Sequence, residues 1–147
     1  MGDEYYMKQA YKEALKAFDA NEVPIGAVIV AGKEIIARGY NQTEMLNDTT
    51  AHAEIIALTA AFNAMGSKWL EDCTLYVTIE PCVMCAGALK WARIKKLVYA
   101  APEPKSGFTL YNPPILHPDT EILGGVLKEE CATLMKDFFR DKRASKI

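Results

Sequence analysis

The stretch Thr74-Leu75-Tyr76-Val77-Thr78-Ile79-Glu80-Pro81-Cys82-Val83-Met84-Cys85, with its continuation to Ala101, decides the fold. Thr74 to Ile79 is a short run of β-branched and apolar residues and reads as a strand. Pro81 stands where helices prefer to begin, and Cys82 to Arg93 has helical composition. Lys96 to Ala101 is a second strand, so the stretch reads strand, helix, strand. Working toward the N-terminus, Ala51 to Met65 has the composition of a mostly buried helix, stopped by Gly66. Polar residues from Asn41 to Thr50 form a loop before it. Ile25 to Val30 and Glu34 to Tyr40, joined at Ala31-Gly32-Lys33, read as a hairpin. From Asp3 to Ala20, Tyr6, Met7, Ala10, Tyr11, Ala14, Leu15, Ala17 and Phe18 recur at three- and four-residue steps, an amphipathic helix ended by Asn21, Glu22 and Pro24.

Toward the C-terminus, five prolines between Pro102 and Pro118 mark a long loop. Glu121 to Leu123 is a short strand before Gly124-Gly125. The last helix, Val126 to about Arg143, carries Leu127, Cys131, Leu134, Met135, Phe138 and Phe139 on one face and a basic tail of Arg140, Lys142, Arg143 and Lys146. Alternating strands and helices after an initial hairpin predict an α/β layered fold on one mixed sheet. With 147 residues, 50% of them hydrophobic, the chain suits a single domain, 1–147.

Composition excludes several classes. Charged residues at 24% and a net charge of -2 argue against disorder, and against a whole-chain field that attracts polyanions. A nucleic-acid partner therefore requires a local basic patch. No apolar run reaches the roughly 18 residues of a membrane span, and Met1 to Asp19 is charged throughout, so a cytoplasmic protein without membrane contact is expected. Cys73, Cys82, Cys85 and Cys131 read as thiols or metal ligands, because a chain this apolar needs no disulfide staples.

Two motifs thirty residues apart carry the chemistry: His52-Ala53-Glu54 and Pro81-Cys82-Val83-Met84-Cys85. His52, Cys82 and Cys85 make three zinc-type ligands, the count of a catalytic zinc that keeps a fourth position for water. Cys82 and Cys85 fall on one face of a helical turn, at a helix start that favours thiolate. Glu54 lies roughly 200° from His52 on a regular helix, so both serve one site only beyond the helix's N-terminal end. A carboxylate there can move protons between water and substrate. A redox pair or half of a zinc ribbon also explains Cys82 and Cys85, but leaves His52 and Glu54 idle. Cys73 and Cys131 read as core residues, and Asn41 as either a turn residue or a ligand contact. Phe108 and Tyr111 either stack on bases or anchor the proline-rich loop.

The strings Thr50-Ala51-His52-Ala53-Glu54 and Glu80-Pro81-Cys82-Val83-Met84-Cys85-Ala86-Gly87-Ala88 closely resemble the bacterial tRNA adenosine deaminases, within the zinc deaminases marked by H-x-E and P-C-x-x-C. Val23-Pro24-Ile25-Gly26-Ala27-Val28 and Asp137-Phe138-Phe139-Arg140 share the likeness, which spans nearly the whole chain. The resemblance implies a three-layer α/β/α cytidine deaminase-like fold with a central mixed sheet of about five strands. It implies one zinc ion per chain on His52, Cys82 and Cys85, with Glu54 carrying protons. It places Asn41, Ile25 and Ala51 near the nucleoside. The implied reaction is hydrolysis of adenosine to inosine at the wobble position of a tRNA anticodon stem-loop, by a homodimer. Pro102-Glu103-Pro104-Lys105-Ser106-Gly107 departs from the family pattern, nearer Asp-x-Lys-x-Gly, by two prolines that stiffen the backbone. Lys90-Trp91-Ala92-Arg93 also resembles guanine deaminases, so the alternative is a free-base or nucleoside deaminase of the guanine or cytosine type; a noncatalytic zinc module is the third reading.

Overall fold

The structure is a computed structural model, and it describes residues 1–144. The elements run α1 (Asp3–Asp19), β1 (Gly26–Ala31), β2 (Glu34–Tyr40), α2 (Ala53–Met65), β3 (Cys73–Ile79), α3 (Val83–Ala92), β4 (Lys96–Ala101), a 3-10 turn at Phe108–Leu110, β5 (Glu121–Gly124) and α4 (Lys128–Ala144). The five strands form one sheet in the order β2-β1-β3-β4-β5. β1 pairs antiparallel with β2 and with β3, whereas β4 runs parallel to β3 and to β5. The expected mixed sheet of five strands is what forms.

Side chains alternate across a strand, so each strand feeds two cores. Ala27, Ile29, Leu75, Val77 and Leu97 pack with Ala53, Ala57 and Leu58 of α2 and Ala86 and Leu89 of α3 on one face. Val28, Val30, Tyr76, Val98 and Ala100 pack with Tyr6, Met7 and Ala10 of α1 and Cys131 of α4 on the other. The result is three layers, α/β/α. Small residues bring the layers close. A Cβ at Gly39 would lie 2.7 Å from the Ala53 carbonyl oxygen and 2.8 Å from the Ala57 nitrogen, so glycine is what lets α2 settle on β2. Gly26 does the same for α1, where a Cβ would overlap the Ala10 carbonyl and the Ala14 nitrogen.

Helix starts differ from the sequence expectation. α2 begins at Ala53, two residues later than composition suggests, because His52 is an extended N-cap with φ -74° and ψ 154°. Cys82 is likewise the N-cap of α3, which leaves Pro81 outside the helix. α4 begins at Lys128, after Gly125 and Leu127 adopt φ of 96° and 57°, left-handed values that no helix interior contains. Its buried residues are Cys131, Leu134 and Phe138, while Phe139 faces outward. Of the basic tail, Lys146 lies outside the described residues.

Candidate active site

Strand directions gather the predicted residues at one edge of the sheet. β3 ends there at Ile79, and the antiparallel pairing of Gly26 with Tyr40 and Ala27 with Val77 brings the start of β1 and the end of β2 to the same edge. The Gly26 N–H donates to Thr78 Oγ1 at 3.1 Å and the Asn41 N–H to the Ile25 carbonyl at 3.0 Å. Gln42 then donates to the Ala51 carbonyl, also at 3.0 Å, which fastens the segment before α2 to the end of β2. Ile25, Asn41, Ala51 and His52 are thereby strung along one backbone network. α2 and α3 both begin here, at the carboxyl end of β3, the edge where open α/β sheets place their sites.

His52 Nδ1 lies 3.6 Å from Cys82 Sγ and 3.5 Å from Cys85 Sγ. For a tetrahedral ion with ordinary zinc bond lengths, the nitrogen-to-sulfur edge is roughly 3.6 Å, so His52 Nδ1 sits at zinc spacing from both sulfurs. All three ligand atoms lie within 4.8 Å of one another, and an imidazole with two thiols is a donor set that suits zinc. The His52 pKa is raised above its ordinary value, chiefly by the hydrogen bond to Cys82.

The two thiols are not equivalent. Hydrogen bonding from Cys85 and from His52 lowers Cys82 to about 3, despite partial burial. Cys85, which donates to Cys82 and is the more deeply buried, is pushed well above the ordinary thiol range. The site thus holds one thiolate readily and yields the second to a cation.

Glu54 completes the arrangement. It is 4% exposed, and burial pushes its carboxyl up to about 7, partly offset by its own backbone N–H, by His52 and by a hydrogen bond with Cys85. Because His52 is extended and not helical, the 200° separation expected on a regular helix does not apply. Both side chains reach one site, His52 from the N-cap and Glu54 from the first turn of α2.

Other sequence expectations resolve individually. Cys73 and Cys131 are buried core residues on opposite sides of the sheet. Phe108 is buried edge-on against Tyr99, so it anchors the proline-rich loop, whereas Tyr111 is exposed. Two residues with structural work at the site drew no attention in the sequence. Glu22, read there only as a helix terminator, accepts the Glu44 and Met45 N–H groups at 3.0 and 2.7 Å and holds the loop that follows Asn41. Glu80, quoted there only within the motif strings and given no role, accepts hydrogen bonds from Glu103 and Thr109. For Glu80 the available signal was an acid set between the apolar Ile79 and Pro81 at the end of a buried strand.

Comparison with known proteins sets the class first. Residues 1–143 match the family of MafB19-like deaminases. The tRNA-specific adenosine deaminase of Bacillus subtilis (strain 168) is 46% identical over 98% of this chain and 92% of its own length. A structure solved in work on A-to-I editing by tRNA:A34 deaminases at the wobble position of transfer RNA superposes with a TM-score of 0.83 and 41% identity. That match covers 88% of this chain and 98% of the other. The guanine deaminase of Bacillus subtilis matches less fully, with a TM-score of 0.68 and 43% identity over 71% of this chain and 67% of its own. The chain belongs to the family of tRNA-specific adenosine deaminases, with the cytidine deaminase-like α/β fold, and is a deaminase.

Proposed function

We propose that this protein hydrolyses adenosine to inosine at the wobble position of a tRNA anticodon stem-loop, using one zinc ion per chain. The observation that carries the reading is the convergence of His52, Cys82 and Cys85 at zinc spacing with Glu54 buried beside them. His52 Nδ1, Cys82 Sγ and Cys85 Sγ hold the metal. Zinc bound there supplies a Lewis acid that makes water nucleophilic near neutral pH.

Glu54 handles the protons. A carboxyl poised near 7 takes a proton from the attacking water and delivers it to the adenine ring nitrogen, then takes the remaining proton of the new C6 hydroxyl and gives it to the departing amine as the C6–N bond breaks. Adenosine and water become inosine and ammonia, and Glu54 ends in the state in which it began. Asn41, Ile25 and Ala51 bind the nucleoside, a role supported by their place on the backbone network beside His52.

Residues 1–147 act as one deaminase domain in this reading, and the protein is cytoplasmic. Among the described residues no helix is long and apolar enough to cross a membrane. The active form is a homodimer, supported by an exposed groove lined by Phe62, Trp69, Ala88 and Trp91 on the outer side of α2 and α3. The match to a guanine deaminase favours one alternative, turnover of a free base.

One assay separates the two. Zinc-loaded protein is given an anticodon stem-loop with adenosine at the wobble position, with guanine, cytosine and free adenosine in parallel. Inosine in the RNA is expected; turnover of guanine or cytosine without any in the RNA would replace this reading with the alternative.

A further inference from the structure

Glu80 is a carboxylate with 4% exposure, one residue before Pro81-Cys82. Burying a carboxylate is costly unless donors surround it. The donors here all come from one distant segment. Oε1 accepts the Glu103 N–H at 3.1 Å, and Oε2 accepts both the Thr109 N–H at 3.0 Å and the Thr109 hydroxyl at 2.8 Å. Gly107 closes over the same carboxylate so tightly that a Cβ there would overlap it.

Two backbone contacts then lay the segment along the site. Cys82 and Gly107 form an isolated antiparallel bridge, and the Phe108 N–H donates to the Pro81 carbonyl at 2.9 Å. The loop that leaves β4 is therefore tied to the turn carrying Cys82, with Glu80 as the pin. Its exposed side chains, Lys105, Ser106, Leu110 and Tyr111, offer a cation, a hydroxyl, an apolar group and an aromatic ring beside that turn. This is the chemistry that grips phosphate and stacks on an unpaired base.

We propose that Glu80 is a positioning residue for the RNA substrate: its carboxylate fixes the 103–109 loop as the wall that grips nucleotides outside the reacting base. The inference rests on the reading of the substrate given above. It separates two functions carried by neighbouring residues, with Cys82 serving the reaction and Glu80 serving binding. Loss of the pin frees the loop and weakens a grip that acts equally in ground state and transition state, so KM rises and kcat stays.

Three variants loosen the pin differently. Glu80→Gln keeps one acceptor and sets an amide against a donor, Thr109→Val removes only the hydroxyl, and Gly107→Ala crowds the carboxylate. Each holoenzyme is assayed on the wobble-adenosine stem-loop for kcat and KM, with zinc content and Tm measured on the same preparation. Glu80→Gln and Gly107→Ala are expected to raise KM at least about tenfold and Thr109→Val about threefold, with kcat within about twofold and zinc content unchanged. A lower Tm with unchanged KM in the folded variants would make Glu80 merely structural and overturn the proposal. So would loss of zinc or a fall in kcat alone. Should Glu80→Gln not fold, Thr109→Val and Gly107→Ala decide alone by the same criterion. Wild-type protein runs beside them; if it fails to convert the stem-loop, the substrate reading fails first, a result distinct from an active wild type whose variants keep its KM.

Discussion

The two ends of the α2 and α3 pair could hardly differ more. At the N-terminal ends, the N-caps are His52 and Cys82, and Glu54 and Cys85 are buried within the first turns. At the C-terminal ends, both helices stop in left-handed residues, Gly66 at φ 61° and Arg93 at φ 57°. Around them Trp91 is 80% exposed, and Lys68 and Arg93 lie over the Trp69 ring. The helix dipole accounts for the sorting: the positive end stabilises thiolate and carboxylate, and the negative end attracts cations. One pair of helices thus offers a His-Cys-Cys cluster that could hold a metal, with a buried carboxyl beside it, at one end and an aromatic, basic surface at the other. The lesson is that chemistry and association can be perturbed separately.

The largest effect is expected at the N-terminal end. Cys82→Ala leaves two ligands, so zinc content should fall well below one per chain and deamination should become undetectable. Metal analysis beside the stem-loop assay checks this, and a zinc-replete, active variant would remove Cys82 from the ligand set. A chelator applied to the wild-type protein should reproduce the loss, and added zinc should reverse it.

Next in size is a change that disturbs the support beneath that end. Gly39→Ala drives a methyl group into the α2 backbone at Ala53 and Ala57, next to His52. Overpacking of this kind costs about 1–3 kcal/mol, readable as a lower denaturant midpoint. An unchanged midpoint would show that α2 shifts freely on the sheet.

The smallest effect on the fold belongs to the C-terminal end. Trp91→Ala removes a ring that is mostly in solvent, so unfolding of the monomer should change by less than about 0.5 kcal/mol. The dimer dissociation constant, followed by sedimentation, should rise about tenfold, equivalent to about 1.4 kcal/mol of weakened association. A dimer indifferent to this substitution would move the interface away from the groove.

Much of this architecture was legible in the sequence, for physical reasons that can be named. β4 and the hairpin followed from short, mostly apolar runs between turn residues, and β4 begins and ends at the residues expected of it. The clustering of His52, Cys82 and Cys85 was legible because few residue types bind zinc and these stand in two short motifs. The helix starts were not, because composition does not distinguish an extended N-cap from the first helical residue. That error concealed the simplest feature of the site, that extended His52 and helical Glu54 need no special placement to meet. Glu22 and Glu80 were illegible for a different reason. Their donors, Glu44 and Met45 for one and Glu103 and Thr109 for the other, lie more than twenty positions away. They are also backbone groups, apart from the Thr109 hydroxyl, and these carry no side-chain signature.

The central claim is that metal retention and proton transfer reside in different residues of the same helix ends. Glu54→Ala tests it most directly, measured as zinc content and stem-loop deamination on one preparation. The expected result is full zinc occupancy with turnover reduced at least about 10²-fold, because the proton carrier is gone and the ligands remain. Full occupancy with wild-type turnover would contradict the account.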